Sequence, residues 1–164
     1  MPRRSKIPTM TIVRDTRENQ PWLFEGMTVG VGRSVRPVQV DTIENKLDAG
    51  DYSIAGLEHQ ISIERKSKID CYQTITRSRE RFIRELARLG ELQFSAVIVE
   101  CEWSDLMLNP PARSRAYPSS INGSIVALQQ RFPKTHWWFL PGRYVASKQC
   151  YKILWRWWED HYAI

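Results

Sequence analysis

Apolar and polar residues alternate through residues 59–66, which sets Ile61 and Ile63 on one face of a predicted strand and Ser62, Glu64 and Lys66 on the other. A carboxylate and an ammonium then project side by side. A β-branched run at 9–13 predicts a second strand, which delivers Asp15 and Arg17 from its end on one face. Residues 94–101, Phe-Ser-Ala-Val-Ile-Val-Glu-Cys, are the most apolar stretch and suit a central strand covered on both sides, with Glu100 at its end as a fourth candidate acid.

Between these strands the period changes. Ala49-Gly50-Asp51 is a turn signal, and a hairpin through residues 56–59 would fold Asp51 back beside Glu64. Ser67-Lys68-Ile69-Asp70 has the form of a helix capping box, and Tyr72, Ile75, Phe82, Ile83, Leu86 and Leu89 continue it as a helical stripe through 71–92. Residues 19–36, with Pro21, Gly26, Gly30 and Gly32, read as a loop or an irregular hairpin, and 37–47 as a mixed extended segment. Residues 104–118 hold a short helix or turn and then an exposed loop. Ile121, Ile125, Leu128 and Phe132 predict a helix over 119–132 that Pro133 ends, and 136–140 is a short aromatic strand closed by Pro141-Gly142.

The last helix, at about 145–161, is apolar on two sides: Cys150, Ile153, Leu154 and Trp157 form one stripe, and Tyr151, Trp155, Trp158 and Tyr162 a neighbouring one. Either both enter one core, or Trp155, Trp158 and Tyr162 form a homodimer or protein-docking surface. Strands and helices in this order predict an α/β sandwich.

Composition narrows the partners. A chain of 164 residues is one domain by size and can bury a full core, and its net charge of +6 suits a polyanion, nucleic acid first. Three widely spaced cysteines with no Cys-x-x-Cys pair indicate neither a disulfide framework nor a zinc ribbon and fit a reducing cytoplasm. No apolar run approaches the ~20 residues of a membrane span. Residues 1–8 read as a flexible basic arm. The arginines at 77, 79, 81, 84 and 88 are either a solvated helix face balanced by glutamates or a wall facing DNA.

Two carboxylates with a lysine are what phosphodiester hydrolysis requires: hard oxygen ligands for Mg²⁺ and a cation to orient water and offset developing charge. Taken alone, Glu-x-Lys is common. Here Val13-Arg14-Asp15-Thr16-Arg17-Glu18 is followed by Gly50-Asp51 and then by Glu64-Arg65-Lys66-Ser67-Lys68-Ile69-Asp70. This succession resembles the nuclease signature of the XPF family of structure-specific endonucleases.

The resemblance runs from residue 11 to about 142, with Arg81-Phe82 and residues 97–100 matching further family features. It implies a restriction-endonuclease-like three-layer sandwich, a central mixed sheet flanked by helices, spanning 9–164. It implies a Mg²⁺- or Mn²⁺-dependent DNA endonuclease that acts on branched, flapped or junction DNA in recombination, repair or replication and leaves 5′-phosphate and 3′-hydroxyl ends. Asp15, Asp51 and Glu64 would be metal-site acids, and Lys66 would assist the attacking water. Arg17, Glu18, Arg65 and Asp70 would support the motifs, and Arg81 would meet DNA, joined by Arg77 if the arginine run is a wall facing DNA. The helix-hairpin-helix module usual in cellular members has no counterpart before residue 164. A noncatalytic DNA-binding or scaffolding subunit that recruits an active partner through the last helix is the alternative.

Overall fold

The computed structural model of the chain describes residues 9–162, so the arm expected at 1–8 lies outside the described residues. Six strands form one sheet in the order β4-β1-β5-β6-β7-β8: β4 (Asp41–Asn45), β1 (Thr11–Asp15), β5 (Tyr52–Ile54), β6 (Ile61–Lys66), β7 (Phe94–Val99) and β8 (Thr135–Phe139). The sheet is mixed. β5 is antiparallel to β1 and β6, whereas the β1–β4, β6–β7 and β7–β8 pairs are parallel. Five strands therefore run one way, and the start of β5 meets the ends of β1, β6 and β7 along one edge.

Each face of the sheet carries its own core. Ile61 and Ile63 of β6 and Ala96 and Ile98 of β7 pack with Trp22, Phe24 and α5 (Gly142–Tyr162). Val97 and Val99 point the other way, into a core with α1 (Lys68–Thr76), α2 (Arg79–Gly90), α3 (Trp103–Leu108) and α4 (Pro118–Arg131). Because β6 and β7 lie inside the sheet and are covered twice, even Ser62 and Glu64 on the polar side of β6 are buried.

Two expectations change. The stripe at 71–92 is two helices, broken at Arg77–Ser78. Residues 76–81, Thr-Arg-Ser-Arg-Glu-Arg, offer no apolar side chain to hold one straight helix, and the break lets Phe82, Leu86 and Leu89 turn inward together. The first strand begins at Thr11 and reaches Asp15, two residues later than the β-branched run suggested.

The structure also bears on two alternatives. Residues 19–36 take the hairpin form, with β2 (Thr28–Val29) antiparallel to β3 (Arg36–Pro37). Both stripes of α5 enter one core: Cys150, Tyr151, Leu154 and Trp158 are buried in it, and Ile153, Trp155, Trp157 and Tyr162 pack against it. Among the described residues no helix is long and apolar enough to cross a membrane.

Candidate active site

The sheet register builds the site. Tyr52 pairs with Ile63 and Arg14 pairs with Tyr52, so one step along the strands sets Asp15, Asp51 and Glu64 in a row across β1, the start of β5 and β6. Backbone bonds from Asp15 N to Asp51 O and from Asp51 N to Ile63 O, each 2.8 Å, hold that row. Like charges directly opposite one another weaken a sheet, so three carboxylates here need cations around them.

The row meets its cations unequally. Asp15 is satisfied within the chain: Oδ1 accepts from Arg17 N (2.8 Å) and Arg17 Nε (2.7 Å), and Oδ2 from Arg17 Nη2 (3.0 Å) and Leu47 N (2.7 Å). Burial alone would raise its pKa, but these donors outweigh it and hold Asp15 below its ordinary value. Among the described residues the Asp51 carboxylate accepts a single hydrogen bond, from Arg65 N to Oδ2 at 2.8 Å. Burial, and then the charge of Glu64, push its carboxyl well above the usual range.

Glu64 is also raised, first by burial, and Lys66 pulls only partly against that. The Lys66 ammonium donates to Glu64 Oε1 at 2.6 Å and sits 4.9 Å from the centre of the Phe82 ring. Burial would lower the lysine pKa, but Glu64 outweighs burial and raises it, so Lys66 stays charged at neutral pH. Among the described residues Asp51 Oδ1 and Glu64 Oε2 accept no hydrogen bond. They are hard oxygen donors on a repelling pair, the donor set a small divalent cation takes.

No group of three or more His, Cys, Asp and Glu side chains among the described residues is arranged to hold a metal ion. Asp15 is taken up by Arg17 and Leu47, and one oxygen of Glu64 by Lys66.

The remaining motif residues divide. The row opens into a cleft of about 700 Å³ lined also by Arg17, Glu18, Asp70, Arg81 and Glu85. Arg65 follows the pleat to the other face of the sheet, where Nε and Nη2 donate to the two oxygens of Glu100 at 2.7 and 3.0 Å. Its Nη1 lies 3.3 Å from Glu18 Oε1. Glu100 is therefore no fourth metal acid; it also accepts from Trp22 Nε1 (2.7 Å) and Arg143 Nη1 (3.4 Å). Asp70 caps α1 through reciprocal bonds with Ser67. Arg81 is exposed at the cleft, whereas Arg77, at the C-terminal cap of α1, is exposed away from it.

Sequence reading missed Arg143, whose Nη2 also donates to Gln20 O and Pro21 O at 3.0 Å each. It missed Glu85 in the cleft wall as well. Arg143 lies far along the chain from the motifs, Glu85 only a turn beyond Arg81-Phe82, and it is their helices that bring them to the site.

A family model described as the ERCC4 domain matches residues 15–150. The chain belongs to the ERCC4 domain family. The match opens on Asp15, and the rest of the carboxylate row and Lys66 lie within it. XPF from Aeropyrum pernix in complex with DNA has a similar structure, with a TM-score of 0.58 at 20% identity, covering 90% of this chain and 62% of that one. XPF from the same organism alone gives a TM-score of 0.58 at 20% identity, over 88% of this chain and 57% of that one. This ERCC4 domain thus spans about three fifths of those chains. It shares their restriction-endonuclease-like fold, the mixed sheet between helices that the motifs implied. No curated protein matches the sequence.

Proposed function

We propose that this ERCC4 domain is a Mg²⁺- or Mn²⁺-dependent DNA endonuclease. The observation that carries the reading is the Asp51–Glu64 pair: both carboxyls are raised, each keeps an oxygen free, and both open on a cleft beside a charged lysine. Asp51 and Glu64 would hold the cation. Asp15, with its oxygens taken by Arg17 and Leu47, acts at one remove by fixing the backbone of Asp51. Bound there, the cation would supply Lewis-acid polarisation of the phosphate and acidify a water.

The chain's own groups do the rest. Lys66 orients the attacking water and offsets charge that develops on phosphorus. Arg81, exposed at the mouth, and Arg17, 63% exposed, meet flanking phosphates. The XPF structure with DNA supports a DNA substrate, and the +6 net charge suits one. Branched or flapped DNA in repair, recombination or replication is the substrate class we assign, with 5′-phosphate products.

Labelled duplex, flap, fork and four-way-junction DNA, incubated with Mg²⁺, Mn²⁺ or EDTA, test this. Cation-dependent cutting that Asp51→Ala and Lys66→Ala abolish, with DNA binding retained, is expected. Cutting that survives in Lys66→Ala would end the proposal. Tight binding without cutting would favour the scaffolding subunit instead, and its contact would be sought at the groove of Tyr151, Trp155 and Trp158 beside Val38 and Val40. Light scattering would show whether a second copy sits there.

A further inference from the structure

Asp51 works only if the turn that carries it is held, and the turn is held from two sides. On the sheet side, Gly50 takes φ +76° and lies so close to β6 that a Cβ there would come within 2.2 Å of Ser62 Oγ. Ser62 Oγ in turn donates to Ala49 O at 2.7 Å. On the helix side, Glu85 of α2 reaches across the cleft wall, and its Oε1 accepts from Gly50 N at 2.7 Å. Among the described residues this is the one hydrogen bond from the helical layer to residues 49–51. Arg88, one turn further along α2, pairs with the other oxygen and steadies the carboxylate.

We infer that Glu85 is a positioning residue for the cation site: it locks the Gly50 amide and so presets Asp51 opposite Glu64 before any cation or DNA arrives. The inference rests on the nuclease reading for its consequence, but not for its geometry. A charged acceptor on a backbone N–H makes one of the stronger hydrogen bonds. A misplaced ligand is costly to a reaction that depends on position. Glutamine keeps an acceptor oxygen at the same reach, whereas alanine removes the acceptor and, as the best helix former, leaves α2 intact.

The test compares the full chain with Glu85→Gln and Glu85→Ala. The readouts are Gly50 amide exchange by NMR without cation, Mn²⁺ binding by calorimetry, and single-turnover cleavage of flap DNA. The Gly50 amide is expected to be protected in the parent and in Glu85→Gln and to exchange at least about tenfold faster in Glu85→Ala. Glu85→Ala is expected to bind Mn²⁺ and to cleave about tenfold less well, with DNA affinity unchanged, and Glu85→Gln to recover most of both. Unchanged Gly50 exchange and Mn²⁺ affinity in Glu85→Ala would overturn the inference. So would a Glu85→Gln protein as impaired as Glu85→Ala, which would assign the effect to charge. If the parent itself fails to cut, the nuclease reading falls, and amide exchange and Mn²⁺ binding still decide the role of Glu85.

Discussion

Asp15 and Asp51 stand next to each other in one row of the sheet and face opposite electrostatic surroundings. Asp15 has four donors from Arg17 and Leu47 and is held below its ordinary pKa. The Asp51 carboxylate has one donor among the described residues, Arg65 N, and burial together with the neighbouring Glu64 raises its pKa well above the usual range. A carboxylate that the chain has already satisfied contributes to the fold. One left unsatisfied beside another destabilises the cation-free protein and creates a demand for a cation. Residue type is the same in both cases, so the partners alone separate structure from chemistry.

The largest expected effect comes from Asp51→Asn. Cleavage should fall by about 10²–10³-fold or more, the scale for losing one preorganised electrostatic group. The cation-free protein should nevertheless melt higher, by roughly 2–4 °C for each kcal/mol of repulsion relieved. A thermal melt in EDTA alongside the cleavage assay checks both halves, and a lower melting temperature would break the contrast with Asp15.

Asp15→Asn should do the reverse. Losing the charged acceptor for Leu47 N and Arg17 is expected to cost about 1–3 kcal/mol, seen in urea unfolding, with a smaller loss of cleavage than Asp51→Asn. If the two variants lost cleavage equally, Asp15 would have to act directly on the cation.

The two corners also predict opposite pH signs. The lowered pKa of Asp15 stabilises the fold above the ordinary carboxylate value of about 3.9, and that gain is lost as pH falls through the lowered value. The raised pKa values of Asp51 and Glu64 work the other way. Their contribution is present below about 4, and it is lost as pH rises through the raised values. Unfolding in EDTA across pH 4 to 8 should show this late loss, Asp51→Asn should flatten it, and Mg²⁺ should restore about 2.7 kcal/mol at a hundredfold excess over its dissociation constant.

The smallest effect should come from Arg143→Ala. Its guanidinium is 47% exposed and contributes the longest of the Glu100 contacts, so unfolding should register no more than about 1 kcal/mol. A stability loss as large as that of Asp15→Asn would make Arg143 a main support of the Arg65–Glu100 pair.

Much of this was legible along the chain because strand and helix periods are local. The alternation at 59–66, the capping box at Ser67, the Pro133 stop and the turn at Gly50 each depend on a few neighbouring residues, and each has its counterpart in the structure, the strand starting at Ile61. The break at Arg77–Ser78 was hidden because apolar spacing resumes at Phe82 after the polar run 76–81. Glu100 looked like an acid at a strand end; which acids face the cleft depends on the pleat, and Arg65 claims this one from the opposite face.

The sequence by itself determined most of the elements, the polyanion-suited charge and the motif residues on which the proposed hydrolysis rests, because period, composition and motif are properties of short stretches. Only the tertiary structure decided which carboxylates are satisfied within the fold and which keep an oxygen free at the cleft. That choice turns on contacts such as Leu47 with Asp15 and Glu85 with Gly50, which lie more than thirty positions apart in the chain and meet only when the sheet and α2 close around the cleft.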